Sequence, residues 1–249
     1  MRNLIAAEAL KLRTTRTGVA LIGSVVGVVA LVSLLATLTG DRDLQNFEVR
    51  DLLGIAGFAQ PFALVLGVLA VTTEFRHGTI TPTLIAAPHK VPLVMAKLVA
   101  HMGAGLILGV VTAGLTAAIV LLGLSARGID AGLSGGDVTK IVIGQTLAAA
   151  LWAALGVGLG ALVRNQVGAI VGALAWTFLG ESLLGLIPSV GDAIRKYGAT
   201  GAANALGGIE TRNTGDLLGQ VPGGLLLAAY AAVFVVAGVL ALRGRDVTA

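Results

Sequence analysis

Glu74, Phe75, Arg76 and His77 stand at the end of a long apolar run, and Gly78, Thr79, His89 and Lys90 follow before the next run begins. A carboxylate, a guanidinium and an imidazole so close together can make charge-assisted bonds to a partner chain, and Gly78 allows a sharp change of direction behind them. Phe75, Ile80, Leu84 and Ile85 give the same segment an apolar side. Residues 74–92 therefore read as a short amphipathic helix on the membrane surface, capped by Thr79 or Thr81 with Pro82 in its first turn. An interfacial loop whose charges only set topology is the other reading.

Two further polar positions fall inside apolar runs. Glu181 is an intramembrane carboxylate, costly in its ionised form; a substrate or proton role, a snorkelling side chain, a pairing with an outer basic residue and hydrogen bonding in the protonated form are all open to it. Gln60 precedes Pro61, where a kink frees a backbone carbonyl that the amide can satisfy, unless it faces a neighbouring helix or substrate.

The inventory for catalysis is thin. His77, His89 and His101 read as solvated loop residues at or before the third run, and no HExxH or GxSxG pattern occurs. The chain has no cysteine, which removes thiol chemistry and Cys-based metal sites. Nor is there a GxxxxGK[ST] phosphate loop. The expectation is a protein that is not an enzyme, has no metal site and relies on another polypeptide for any ATP-driven work.

The elements carrying these residues are apolar helices. Of 249 residues 56% are hydrophobic and 12% charged, about half the ~25% usual in soluble domains, and the mean hydropathy is +0.93. Six runs reach the ~20 residues needed to span a bilayer: 18–38, 52–73, 99–124, 138–163, 166–187 and 222–242. The expected fold class is all-α, a single polytopic transmembrane domain over 1–249. Residues 1–17 form an N-terminal interfacial helix or a plain basic anchor, and no signal peptide precedes the first span. Segment 189–221 is too long for a turn and suits two short helices that partly bury Leu206, Ile209 and Leu217.

The 36 glycines are about twice the usual ~7%, and Gly23/Gly27, Gly156/Gly160 and Gly168/Gly172 have the spacing of close helix contacts. Ten of 17 basic residues fall on the side of the N-terminus, placing both termini in the cytoplasm. The net charge of +4 then speaks for anionic lipid headgroups as partners, with no nucleic acid.

Glu74-Phe75-Arg76-His77-Gly78-Thr79-Ile80, then Thr83-Leu84 and Pro88-His89-Lys90, resembles the E-[YF]-R-x-G-T-[IL] signature and downstream Pro-x-basic of type 2 ABC exporter permeases. Ala7-Glu8 and Lys11-Leu12-Arg13-Thr14 resemble the opening of such permeases in high-GC Gram-positive bacteria, and Arg164-Asn165 and Tyr197-Gly198 to Ala205-Leu206 are similar too. The resemblance implies a permease in the bacterial cytoplasmic membrane, paired with a second copy or a homologue and docked on separate ABC ATPase subunits that bind the ATP and Mg. It implies export of a lipophilic drug, antibiotic, peptide or lipid. Glu74, Phe75, Arg76, Gly78 and Thr79 would lie at the ATPase-coupling contact, with Glu8, Lys11 and Arg13 close by. An ion- or proton-coupled secondary transporter using Glu181, and a transport-inactive sensor or immunity partner of an ATPase, are the alternatives.

Overall fold

The computed structural model describes residues 1–40, 46–79, 82, 89–209 and 217–243, and among these there is no strand. Helix α1 (Arg2–Thr14) leads into α2 (Arg16–Thr39). The second span joins α3 (Asn46–Gly54), a 3-10 turn (Ile55–Phe58) and α4 (Ala59–Arg76). Then come α5 (Lys90–Ala126), α6 (Gly135–Val163) and α7 (Gln166–Ala175). A π-helical turn (Trp176–Gly180) carries α7 into α8 (Glu181–Leu184). Two short helices, α9 (Gly191–Tyr197) and α10 (Ala199–Leu206), precede α11 (Gln220–Arg243).

Six helical stretches are long and apolar enough to cross a membrane: Arg16–Thr39, Val49–Arg76, Lys90–Ala126, Gly135–Val163, Gln166–Leu184 and Gln220–Arg243. The six expected spans are present, but the third begins at Lys90 rather than near residue 99. Its 37 residues are about 55 Å long at 1.5 Å per residue, well beyond the ~30 Å of a hydrocarbon core. The extra turns hold Lys97 inside the protein, one turn before the buried His101. The connection between the first two spans is also shortened, because α3 already runs into the second span.

Local chemistry explains several boundaries. The Ser134 hydroxyl accepts the Asp137 N–H at the start of α6. At its end Arg164 takes a left-handed conformation with φ 57°, and the Asn165 side chain accepts the Gly168 N–H at 2.8 Å, so two residues turn the chain from α6 into α7.

Helix α6 is the hub, packed along α4, α5 and α11. Its glycines explain the close approach: a Cβ on Gly156 would meet Leu64 O at 2.1 Å, and one on Gly67 would meet Ala153 O at 2.1 Å. Gly160 likewise faces Val68, whereas Gly23, Gly27 and Gly172 have open space around them and Gly168 meets only its own Asn165 cap. The small-residue spacing thus packs the hub in one place, faces outward at Gly23 and Gly27, and borders a cavity at Gly168 and Gly172. Around α6 the core includes Leu64, Leu66, Trp152 and Leu227, while the spans Arg16–Thr39 and Gln166–Leu184 are covered least.

The ends of α1, α4, α6 and α11 meet the start of α5 at one pole, here termed proximal. Lys90 Nζ reaches Leu242 O at 2.9 Å, and the Arg164 guanidinium donates to Ala241 O. Helices α9 and α10 lie at the opposite, distal pole.

Candidate functional site: a buried ion network at the proximal pole

Helix α1 buries one residue, and it is an acid. Glu8 is 4% exposed while Leu10 is 62% exposed, so α1 docks on the bundle through a buried carboxylate, with Leu12 half-buried against the core beside it. Glu74, in the last turn of α4, is also buried. Between them stands Lys97 of α5, 2% exposed.

The Lys97 ammonium donates to Glu74 Oε1 at 2.7 Å, Ala70 O at 2.9 Å and Glu8 Oε1 at 3.1 Å. Those three acceptors match its three N–H bonds. Lys11 closes the arrangement, donating to Glu8 Oε1 and Glu74 Oε1 at 2.8 Å each. Each carboxylate thus accepts from both lysines, and the two formal charges of each sign cancel. Such balance is what keeps ions tolerable away from water, where an unpaired one costs several kcal/mol.

The two partners on α1 respond accordingly. Burial pushes the Glu8 carboxyl up, but Lys97 and Lys11 together outweigh it and hold the group below its ordinary value. Burial pulls Lys11 down, and its bonds to Glu74 and Glu8 outweigh that and raise it.

His101, one turn beyond Lys97, is 4% exposed with Nδ1 2.9 Å from Lys97 O. It is a buried helix residue rather than a solvated loop histidine, unlike the exposed His77 and His89. Among the described residues no group of histidines and acids could hold a metal. A cavity of about 470 Å³ opens beside the network, with Glu8, Lys11, Glu74, Arg76 and His101 in its wall. Glu74 Oε2 is buried with no hydrogen-bond partner among the described residues.

Beyond Glu74 the chain leaves α4 through a left-handed glycine. Gly78 has φ +65°; its N–H reaches Phe75 O at 3.3 Å, and the Thr79 N–H reaches Glu74 O at 2.9 Å. These two bonds close the helix end in the arrangement that favours glycine at this position. Phe75 lies under the Arg164 guanidinium, 5.6 Å from ring centroid to Cζ, and Arg76 reaches Gln166 Oε1 at 3.4 Å. Arg76, His77, Gly78 and Thr79 are exposed, as is Arg13 on α1. The surface helix expected after Thr79, with Ile80, Thr81, Leu84 and Ile85, lies outside the described residues.

The structure therefore brings Glu8, Lys11 and Glu74 into one network and leaves Arg13, Arg76, Gly78 and Thr79 on the surface around it. Lys97 is the residue that sequence reasoning missed, and His101 the one it placed wrongly in solvent. Their signal is VMAKLVAH: two titratable residues four apart, on one face of an apolar helix.

The other two polar positions lie elsewhere. Gln60 donates to Gln145 Oε1 at 3.0 Å, pairing α4 with α6 just after the 3-10 turn. Glu181 accepts the Ala199 N–H on Oε1 at 2.9 Å and the Thr200 N–H on Oε2 at 3.0 Å, so it holds the first turn of α10 at the distal pole.

Fold and site define a polytopic all-helical membrane protein with an ion network tying its N-terminal helix to two spans. No protein-family model matches the chain, and no curated protein matches it at a significant level.

Proposed function

We propose that the chain is the membrane-spanning permease subunit of an ATP-driven exporter of the type 2 ABC class, working in the bacterial cytoplasmic membrane with its proximal pole in the cytoplasm. In this reading, separate ATPase subunits bind the ATP and Mg, a second permease completes the assembly, and the cargo is lipophilic.

One observation carries the reading. The exposed run Arg76-His77-Gly78-Thr79 begins two residues after Glu74, and Glu74 is bonded to Lys11 of α1 and Lys97 of α5. A partner that pushes on this run acts on a rigid junction of three helices. Closure of two ATPases would move that junction as a unit and shift the spans between two packings, the bistable element that such coupling needs. Lys97 couples the parts without reaching the surface.

The test is co-purification in mild detergent with a candidate ABC ATPase of the same cell. Wild type should retain the ATPase. The double reversal Arg13→Glu, Arg76→Glu, at two exposed positions outside the ion network, should release it without changing the thermal unfolding of the permease. A folded wild-type protein that recruits no ATPase would overturn the reading.

A further inference from the structure

Both tryptophans and both tyrosines of this chain, Trp152, Trp176, Tyr197 and Tyr230, line one cavity of about 680 Å³ between α6, the fifth span, α11 and the α9–α10 pair. Only 4% of the residues are aromatic, so their gathering in one wall is not a composition effect. The rest of the lining is almost wholly apolar. Trp176 and Tyr197 are about half exposed, which opens the cavity on the flank of the fifth span, and Trp152 is buried at its back.

Glu181 is the one charged side chain in this lining among the described residues. Its two oxygens take backbone N–H groups, and among the described residues no cation pairs with it. Two basic residues of α9 are engaged otherwise: Arg195 donates to Gly185 O at 2.7 Å and pairs with Asp192, and Lys196 stands over the Tyr197 ring at 6.0 Å. A carboxylate in an apolar, aromatic-walled cavity at the edge of a membrane span wants a positive partner with little affinity for water.

We propose that this cavity binds a lipophilic organic cation, its apolar body among the aromatic rings and its positive centre against Glu181. The volume falls in the range of small-molecule sites, ~300–1,000 Å³. A neutral acyl chain would leave the carboxylate without a counter-charge, and an anionic amphiphile would be repelled by it. The site is independent of the permease reading, because its occupancy needs no ATPase.

Because both tryptophans are in the wall, intrinsic emission reports the site directly. Purified protein in a neutral detergent is titrated with tetraphenylphosphonium and, separately, with tetraphenylborate, an anion of closely similar shape. Each ion is compared between wild type and Glu181→Gln, so its partition into detergent is common to both. The phosphonium should change the emission saturably and bind at least tenfold more weakly to the variant, while the borate should not lose affinity. Equal phosphonium affinity in wild type and a folded variant would overturn the proposal. Gly172→Leu provides a second decision if removing the α10 contact unfolds the protein. Gly172 lines the cavity with open space where its Cβ would stand, so a leucine there fills the site without touching Glu181. That variant should lose phosphonium binding; full retention would overturn the proposal as well.

Discussion

Lys97 Nζ lies 2.7 Å from Glu74 Oε1, across 23 residues of chain and with both groups buried. The same nitrogen reaches Glu8, 89 positions earlier. One ammonium thus joins three helices, and the junction sits directly behind the exposed turn at Gly78.

Removing Lys97 should be costly. Lys97→Ala leaves two buried carboxylates with only the half-exposed Lys11 between them, and breaking a buried pair in this way costs roughly 3–5 kcal/mol. Thermal unfolding in detergent should show a large loss. Adding Glu8→Gln and Glu74→Gln to Lys97→Met removes the uncompensated charge, so the triple variant should recover much of it. A Lys97→Ala protein as stable as wild type would mean that the network is not formed.

The network also fixes a pH dependence. The Glu8 carboxyl is held below its ordinary 4.5, so its contribution is complete above that value and is lost as pH falls through the lowered one. Lys11 is raised above its ordinary 10.5, so its contribution is complete below that value and is lost as pH rises through the raised one. The Lys11 share is small, about 1 kcal/mol or less, since half of its side chain is in solvent. Unfolding measured against pH should show an acid limb that flattens in Glu8→Gln. An unchanged acid limb would remove Glu8 from the network.

Glycines at equal spacing should behave differently. Gly156→Ala sets a Cβ 2.1 Å from the Leu64 carbonyl oxygen, a backbone atom that cannot step aside, and should cost about 1–3 kcal/mol or more. Gly27→Ala meets nothing within 4 Å and should stay within about 0.5 kcal/mol of wild type. Melting curves of the two variants side by side check this contrast. Equal effects would contradict the packing of α4 on α6.

The membrane-spanning helices were legible in the chain because hydrocarbon sets their length and composition residue by residue, with no need for a partner. Their ends were partly legible as well, since Ser134, Asn165 and Gly78 act within a few residues of themselves. What the linear pattern left open concerns groups that meet across long stretches of chain. Glu8 reads as a residue close to a partner contact and Lys97 as one of ten basic residues on the side of the N-terminus; they are buried partners only because α1 docks on α5. Glu181 kept its alternatives until α10 brought two N–H groups to it. Gly156 and Gly27 have the same local spacing, and only the position of α4 assigns one to the hub and the other to the outer surface. Hydrophobic length is a local property and the sequence alone decided it; charge compensation and backbone approach are properties of pairs, and those the tertiary structure decided.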